Sequence, residues 1–466
     1  MPAPPFEIVT DPGVLAGYLS DASNTRGHAE ALVRPRSTAE VSAVVAWCQR
    51  HAIPLTVTAQ RTSTTGGPVP EGGWLLSTER LDRVLAITDT HATAQAGVML
   101  GAFQDELEAR GRLYPPDPTS RDECSLGGSI ACNASGARTY RYGPTRPWVE
   151  AVEVVLPTGE VRHADRSTPI PADWPRVAWT EPHVKTATGL YPADNLLDLF
   201  IGQEGILGVI TQATVRLTAR PERVFSVLIW FPSTPAGLDF VRAAKASAAL
   251  SPRCLEWYDR HSLDLVRERV PEIPAAACAA LWCEQECTEA TQDALMEAWL
   301  AAIEASGALA DDTLFADDPA SLARLRAIRH AVPAGVNERV ARNGMPKVGT
   351  DFAVPDRALD DMMAAYEATL LPHVLFGHVG DNHLHLNLLP RTPAELEQAW
   401  GIWRDLYARA LAAGGTLSAE HGVGKLKRPY LAEMVGPEVI SAFAALKRHL
   451  DPAWILGRGT MLGYQV

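Results

Sequence analysis

The stretch that most constrains this chain is residues 377–387, which read GHVGDNHLHLN. His383, His385 and Asn387 lie two residues apart, and leucines fill the alternate positions. A period of two predicts a strand with one polar face and one apolar face. His378 precedes a Gly-Asp-Asn turn. We therefore expect the chain to fold back there and to bring His378 to the polar face.

A second polar segment, SAEHGVGK, places Glu420 and His421 between small residues and a glycine-rich turn. Two imidazoles and a carboxylate form a suitable ligand set for a borderline divalent metal such as zinc or manganese. The alternative is a histidine-rich strand whose side chains face solvent, with the remaining polar groups serving turns. The presence of both segments in one chain favours the metal site. Neither segment identifies the reaction.

The size and charge of the chain bound its class. Its 466 residues predict about two or three domains, and 47% hydrophobic with 21% charged residues is typical of a globular enzyme with a large core. The net charge of -13 argues against nucleic acid as a partner and against electrostatic attachment to anionic lipid. An anionic substrate would therefore be drawn in by a local group of arginines and lysines.

No sorting or membrane segment is predicted. The first residues, MPAPPFEIVT, have neither a basic segment nor an apolar core, and no run of about 18 apolar residues occurs. The seven cysteines are scattered and odd in number, which does not indicate a disulfide framework. We therefore predict a reducing, cytoplasmic location, and leave peripheral association with the inner membrane face open.

Three loop-rich segments occupy the first half. A short strand at 55–58 runs into AQRTSTTGGPVP, whose hydroxyls and backbone N–H groups suit a phosphate or pyrophosphate, although a plain surface loop would have a similar composition. Next comes YPPDPTSRDECSLGGSIACNASGARTYRYG, which is too dense in turn residues for one linker and is typical of a binding loop. The third segment, LFIGQEGILGVIT, has glycines spaced by three before a strand.

In this order and spacing, the three segments resemble the FAD-binding domain of the vanillyl-alcohol oxidase/PCMH flavoprotein superfamily. The resemblance implies an α+β fold in which two α+β subdomains clasp FAD between them, and we assign this domain to residues 1–220. It implies non-covalent FAD, because the first loop has no histidine to which the flavin could be attached. The residues that it places at the cofactor are Gln60, Arg61, Thr62, Ser63, Thr65, Gly66, Pro116, Asp117, Ser125, Gly127, Gly128, Ser135, Gly136, Tyr142, Gly143, Glu204, Gly205, Gly208 and Ile210.

One departure from the superfamily concerns the first loop. Its members usually carry successive glycines where this chain has Ala59, Gln60 and Arg61. Side chains at these positions restrict how closely the backbone approaches a pyrophosphate. We expect Arg61 to offset this restriction with a charge-assisted hydrogen bond.

The second half alternates strands and helices, which predicts a second α+β domain with helices over an antiparallel sheet. Residues 322–342 have a helical period, with a predicted break at Pro333, and Lys347 follows in GMPKVGTDFAVP. This region resembles the cap domain of the FAD-linked oxidases that act on D-2-hydroxy acids. GHVGDNHLHLN, SAEHGVGKLKRPYL and LDPAWILGRGTMLG resemble further motifs of that family. The implied division is a cap domain with the metal site at 221–430 and a segment at 431–466 that returns to the FAD domain.

The family includes D-lactate dehydrogenases, the glycolate oxidase flavoprotein subunit and D-2-hydroxyglutarate dehydrogenase, and the resemblance implies roles for seven residues. They are metal ligands (His378, His385, Glu420), a base (His421) and groups at the substrate carboxylate (Arg329, Lys347, Asn387). The family usually has Gly-Asn where this chain has Asn382-His383, which leaves His383 either a spectator or an extra ligand. Gly457 replaces a terminal asparagine, which is expected to remove one flavin contact.

The implied reaction is the FAD-dependent oxidation of a D-2-hydroxy acid, such as D-lactate or glycolate, to the 2-oxo acid. His421 would take the hydroxyl proton, since imidazole titrates near neutrality, and a hydride would pass to flavin N5 with help from the metal. Three alternatives stay open: a metal-independent flavoprotein oxidase of sugars, alditols or lactones, a flavin subunit that passes electrons without binding substrate, and a metal-dependent hydrolase without flavin. The electron acceptor also stays open among a quinone, an electron-transfer flavoprotein, a cytochrome and oxygen.

Overall fold

Three β-sheets and a two-stranded ribbon carry the fold in the computed structural model, which describes residues 4–464. The smallest sheet is parallel, and its strands follow the spatial order Ala31–Val33, Trp74–Ser77 and Leu55–Thr58. Helix Thr38–His51 buries its apolar side in the same core cluster as this sheet. The predicted strand at 55–58 is confirmed, and it positions the first loop at its end.

The second sheet has five antiparallel strands. In spatial order they are Val84–Ile87, His91–Gln95, Val209–Arg216, Val149–Val155 and Val161–Asp165. The ribbon pairs Arg112–Leu113 with Thr218–Ala219. Because the central strand begins inside the segment LFIGQEGILGVIT, the sheet fixes the end of that segment.

The largest sheet belongs to the second half and has eight strands, all antiparallel. Seven strands are neighbours in the spatial order Leu314–Ala316, Arg223–Phe231, Ala279–Cys287, Pro252–Asp259, His373–His378, His383–Leu388 and Val348–Gly349. The eighth strand, Phe352–Ala353, pairs with His383–Leu388. The predicted antiparallel sheet is confirmed, and so is the α+β fold class.

The helices are short in the first half and longer in the second. Their bounds are Pro12–Ala16, Thr38–His51, Leu100–Ala109, Leu126–Ala131, Thr139–Tyr142, Leu196–Phe200, Thr234–Ala246, Arg260–Val266, Gln292–Ala305, Pro319–Asn343, Leu359–Glu367, Pro393–Ala412, Arg428–Val435 and Pro437–Leu450, with single 3₁₀ turns at Arg146–Trp148, Ala310–Asp312, Asp356–Ala358 and Val379–Asp381. Within residues 4–464, no helix combines the length and the apolar character needed to cross a membrane. All seven cysteines are free thiols.

The predicted hairpin is confirmed at residues 373–388. Its two strands are antiparallel, and the Cα of His378 lies opposite that of His383. Asn382 closes the turn with φ 52°, a left-handed conformation that asparagine tolerates better than most residues. Its amide group is fixed on both sides, since the Lys245 ammonium donates to Oδ1 at 2.9 Å and Nδ2 donates to Asp356 at 2.8 Å. The turn therefore holds the two histidines in register.

The predicted helix break at Pro333 is wrong. Helix Pro319–Asn343 runs through this residue, although proline has no N–H to donate to the carbonyl of Arg329 one turn earlier. Val332, Gly335 and Val336 are buried on either side of the proline. At Gly335, an added Cβ would lie 3.1 Å from the Leu265 side chain, so the helix packs tightly at this point. This tertiary packing outweighs the single missing hydrogen bond.

The last residues of the described chain pair with the first sheet. Leu55 N–H donates to the Ile455 carbonyl at 2.7 Å, and Gly457 N–H donates to the Leu55 carbonyl at 3.0 Å. Beneath this contact, the buried ammonium of Lys447 bonds the Asp451 carboxylate and the carbonyls of Ile206 and Leu456. One cation therefore ties the final helix to both halves of the chain.

Lys447→Ala is expected to lower the free energy of unfolding by about 3 to 5 kcal/mol, because it leaves a buried carboxylate without its cation. Arg448→Ala is the matched control, since Arg448 is exposed on the same helix, and its loss should stay below about 1 kcal/mol. The midpoints of urea unfolding measure the difference. Equal losses in the two variants would contradict the role given to Lys447.

Candidate active site

Four side chains converge where the hairpin meets the segment after helix Pro393–Ala412. One ligand atom from each of His378, His383, His385 and Glu420 lies within 4.8 Å of the other three. Glu420 Oε2 is 3.3 Å from His378 Nε2, and Glu420 Oε1 is 3.2 Å from His385 Nε2. The structure therefore brings the three predicted metal ligands together, with His383 beside them.

In two of these histidines the other ring nitrogen, Nδ1, lies beside an acceptor oxygen of the protein. His378 Nδ1 is 2.6 Å from Glu256 Oε1, and His385 Nδ1 is 3.2 Å from the carbonyl oxygen of Thr350. Metal-binding histidines usually have this arrangement, because an acceptor at one nitrogen keeps the proton there and leaves the other lone pair for the cation. These residues therefore fit a divalent metal.

Glu256 connects the cluster to Arg329. Its Oε2 accepts a hydrogen bond from Arg329 Nη2 at 3.2 Å. Burial opposes the charged form of Glu256, but His378 and Arg329 lower the pKa of this carboxyl to about 2. Burial also opposes a charge on His378, but Glu256 raises the pKa of this imidazole to about 9. A divalent cation would take the place of the His378 proton, since metal binding deprotonates its ligands.

Asp351 orients the segment that carries the predicted base. Its buried carboxylate accepts the backbone N–H groups of Glu420 at 3.2 Å and of His421 at 3.1 Å, and it pairs with the Lys427 ammonium. Burial opposes its charge, but His421 and Lys427 hold the pKa of Asp351 well below its usual range.

His421 borders the cluster and remains accessible. Its Nε2 is 3.5 Å from Glu420 Oε1, and its ring stacks on that of His385 with centroids 5.2 Å apart. About a third of the side chain is exposed, with 33% relative accessibility. The predicted base is therefore the member of this group that a substrate can reach from solvent.

Lys185 also contacts the cluster. Its buried Nζ donates to Glu420 Oε2 at 2.8 Å and lies 4.0 Å from Asp381. Burial opposes the charge of Glu420, but Lys185 and His378 hold the pKa of this carboxyl well below its usual range. Glu420 is therefore anionic.

The predicted carboxylate-binding residues lie on two sides of the cluster. Lys347 Nζ donates to Asn387 Oδ1 at 2.9 Å, and Asn387 lies on the same strand as His385. Arg329 lies on helix Pro319–Asn343, and its guanidinium carbon is 5.0 Å from the centre of the Trp282 ring. Lys347 therefore lies beside Asn387, and Arg329 is linked to the cluster through Glu256.

The first-half loops meet this cluster directly. The Thr65 carbonyl accepts the N–H group of Lys425 at 2.9 Å, and Thr65 Oγ1 is 3.4 Å from the His421 carbonyl oxygen. Ser135 Oγ lies 3.5 Å from Glu420 Oε2. Two segments predicted to hold FAD therefore border the predicted metal ligands.

Glu204, from the third segment, completes this contact. Its carboxylate accepts the backbone N–H groups of Val423 at 2.7 Å and of Gly424 at 2.8 Å. Burial raises the pKa of Glu204 to about 7, against these hydrogen bonds. The side chain therefore links the two halves, and its predicted cofactor contact stays a prediction.

The first loop presents unpaired backbone donors. Within residues 4–464, the N–H groups of residues 60–64 form no hydrogen bond to the protein. Arg61 has φ 59°, which glycine adopts more readily, and its guanidinium donates to the Ala59 carbonyl at 2.9 Å. A run of free N–H groups beside a cation fits a pyrophosphate. The predicted Arg61 bond to that group remains a prediction.

Two glycines of the central segment are required by close packing. A Cβ at Gly127 would lie 2.4 Å from the Cβ of Ala96, and one at Gly136 would lie 2.0 Å from the Asp117 carbonyl oxygen. Ser125 caps the helix Leu126–Ala131 by accepting the Gly128 N–H. The other predicted cofactor residues that lie on the central and third segments are Pro116, Tyr142, Gly143, Gly205, Gly208 and Ile210.

A cavity of about 360 Å³ opens beside the first loop. One predicted cofactor residue, Gln60, lines this cavity. The apolar side chains of Met99 and Phe103 and the acidic residues Glu79 and Glu106 line it too. Acidic walls disfavour a phosphate. The cavity therefore suits an uncharged group more than a phosphate.

Three residues beside the cluster were not predicted from the sequence: Lys185, Glu256 and Asp351. Glu256 left a signal, since it is a carboxylate inside the strand Pro252–Asp259, in which every residue is buried. Asp351 lies in the segment GMPKVGTDFAVP, in which Lys347 is the residue with a predicted role. Lys185 lies in irregular chain, where no periodicity indicates which side chains are buried.

Two family descriptions match the chain. Residues 220–461 match "FAD linked oxidases, C-terminal domain", and residues 29–165 match "FAD binding domain". The first match covers more than half of the chain. The chain therefore belongs to the FAD-linked oxidases, and it is an FAD-dependent oxidoreductase.

Named relatives agree with this family. The glycolate oxidase subunit GlcD of Bacillus subtilis is 30% identical over 93% of this chain and 88% of that protein. The D-2-hydroxyglutarate dehydrogenase of Xanthomonas citri is 31% identical over 98% and 94%, and the D-lactate dehydrogenase of Anaerostipes hadrus is 31% identical over 92% and 89%. Substrate-bound p-cresol methylhydroxylase shares the fold, with a TM-score of 0.74, 14% identity and coverage of 98% of this chain and 94% of that chain. The predicted PCMH-type fold is confirmed.

Proposed function

We propose that this chain oxidises a D-2-hydroxy acid to the corresponding 2-oxo acid with non-covalent FAD and a divalent metal, zinc or manganese. His378, His385 and Glu420 hold the metal, and His421 accepts the hydroxyl proton. One observation carries the proposal: Glu420 lies 3.3 and 3.2 Å from the imidazole nitrogens of His378 and His385 and 3.5 Å from that of His421. The relatives named above support the substrate class.

Arg329, Lys347 and Asn387 bind and orient the substrate carboxylate. A guanidinium offers two parallel N–H donors to a carboxylate, whereas an ammonium acts as a point charge. Glu256 holds Arg329 in place at 3.2 Å, and Asn387 holds Lys347 in place at 2.9 Å. Both cations are therefore oriented before the substrate enters.

His421 takes the proton at Nε2, the ring nitrogen that lies beside Glu420. Its Nδ1 is 3.6 Å from Asp351 Oδ2, and this carboxylate stabilises the imidazolium that forms. Bound FAD supplies a hydride acceptor, and a divalent cation at the cluster supplies positive charge that makes the substrate hydroxyl more acidic. His378 and Glu420 are buried and His385 is half-buried, which limits the access of water.

We propose that three parts of the chain have different roles. Residues 1–220 hold FAD, residues 221–430 hold the metal and the substrate, and residues 431–466 close the FAD domain. The hydrogen bonds of Thr65 and Glu204 to residues 421–425 support a reaction centre at the junction.

A substrate screen tests the proposal. In the absence of oxygen, D-2-hydroxy acids are expected to bleach the yellow flavin absorbance, and their L-enantiomers are expected to bleach it at least about tenfold more slowly, because only one enantiomer directs its hydrogen at the flavin when the carboxylate is fixed. Stopped-flow absorbance measures the rates. Bleaching by alditols or lactones but not by hydroxy acids would favour the sugar oxidase alternative, and no bleaching by any compound would favour an electron-transferring subunit.

A further inference from the structure

His383 is the fourth member of the cluster, and the sequence left its role open between spectator and ligand. It begins the strand His383–Leu388, two residues before His385, so both side chains project from the same face of the sheet. Its ring centroid is 4.4 Å from that of His385 and 5.4 Å from that of His378. The side chain has 0% relative accessibility, so bulk water does not reach its ring nitrogens to form hydrogen bonds.

The two ring nitrogens of His383 have different surroundings. Nδ1 is 3.8 Å from Glu420 Oε2, and Nε2 is 2.9 Å from Asp351 Oδ1. Neither nitrogen has a hydrogen-bond partner of acceptable geometry among the described residues. A buried polar group left in this condition costs about 1 to 3 kcal/mol. A spectator histidine would carry that cost without compensation.

A cation at the cluster would give Nδ1 a partner. Asp351 Oδ1 lies 2.9 Å from Nε2, although without hydrogen-bond geometry, whereas Glu256 bonds His378 Nδ1 at 2.6 Å and the Thr350 carbonyl bonds His385 Nδ1 at 3.2 Å. In all three residues an acceptor oxygen lies near one ring nitrogen, and the other nitrogen lies 3.2 to 3.8 Å from a Glu420 oxygen. This is the arrangement of a metal-bound imidazole with its outer acceptor.

The distances also suit a single ion. Tetrahedral zinc with bonds of about 2.0 to 2.1 Å requires ligand atoms about 3.3 to 3.4 Å apart. Glu420 Oε2 is 3.3 Å from His378 Nε2 and 3.8 Å from His383 Nδ1, and Glu420 Oε1 is 3.2 Å from His385 Nε2.

We infer that His383 is a fourth protein ligand, which makes the metal site three imidazoles and one carboxylate, with Asp351 as the acceptor that orients the added imidazole. The inference rests on the proposed metal at this site. It adds one imidazole to the proposed ligand set of His378, His385 and Glu420. A divalent metal held by these four residues would supply positive charge beside the substrate hydroxyl.

Metal binding tests the inference without reference to turnover. The metal-stripped wild type, His383→Asn, His383→Gln and the control His163→Asn are titrated with Zn²⁺ against a chromophoric chelator. His163 is an exposed strand residue outside the cluster, with 78% relative accessibility. Both His383 variants are expected to bind Zn²⁺ at least about 100-fold more weakly, whereas His163→Asn is expected to match the wild type.

A second measurement does not depend on how a variant folds. X-ray absorption at the zinc edge of the wild type counts the imidazole ligands, and three are expected. Two imidazoles, or unchanged Zn²⁺ affinity in His383→Asn, would overturn the inference and leave the proposed metal site intact. A wild type that binds no zinc, manganese or cobalt would overturn the inference and the proposed metal together.

Discussion

His421→Ala is expected to slow reduction of the flavin by a D-2-hydroxy acid about 100- to 10,000-fold while FAD stays bound. The variant removes the group proposed to accept the hydroxyl proton and leaves the FAD segments unaltered. Stopped-flow absorbance without oxygen measures the reduction rate, and the flavin spectrum of the purified variant measures FAD content. Because His421 is part-exposed and neither of its nitrogens bonds a neighbour closer than 3.5 Å, its truncation should disturb the fold little.

The matched control is His163→Ala, an exposed histidine on the strand Val161–Asp165. It should reduce its flavin at the wild-type rate. Rapid reduction in His421→Ala, within a few-fold of the control, would show that another group accepts the proton. Asp351 and Glu420 would then be the nearest candidates, since both carboxylates border the same ring.

Complete removal of divalent metal is expected to lower turnover of a D-2-hydroxy acid at least about 100-fold, because the substrate hydroxyl loses the charge that makes it acidic. Zn²⁺ or Mn²⁺ should restore turnover. Mg²⁺ is the matched control and should not restore it, because this ion prefers oxygen ligands in octahedral geometry. Elemental analysis establishes that the metal is gone, and flavin absorbance establishes that FAD remains.

Turnover that survives verified metal removal would contradict the metal proposal. It would support a metal-independent oxidase, in which Lys185 rather than a divalent ion neutralises Glu420 at 2.8 Å. Glu420→Gln separates the two mechanisms further, since it removes the anionic ligand. The metal proposal predicts that this variant binds Zn²⁺ more weakly, whereas a metal-free enzyme has no bound ion to lose.

The sequence predicted the chain reversal at residues 380–382, the strand that follows it and the strand at 55–58 because their signals are local. A period of two and a three-residue turn are read within a single segment, and the register follows from them. The carboxylates that orient the histidines are distant in sequence: Glu256 bonds His378 from 122 positions away. No local pattern specifies such a pair.

Pro333 shows the opposite failure, in which a strong local signal gave the wrong result. The missing N–H group at this residue predicts a helix end, but Val332 and Val336 are buried on the same helix and keep it continuous. Arg61 is similar, since it occupies a left-handed conformation with φ 59°, which glycine adopts more readily. In both cases tertiary contacts decide the backbone conformation.

The pairing of Leu55 with Ile455 and Gly457 also has a consequence for the order of folding. The strand Leu55–Thr58 leads into the loop proposed to hold the pyrophosphate, yet its outer partner belongs to the other half of the chain. The edge beside the proposed dinucleotide site is therefore complete only after the two halves of the chain have come together, which requires closure of a long loop.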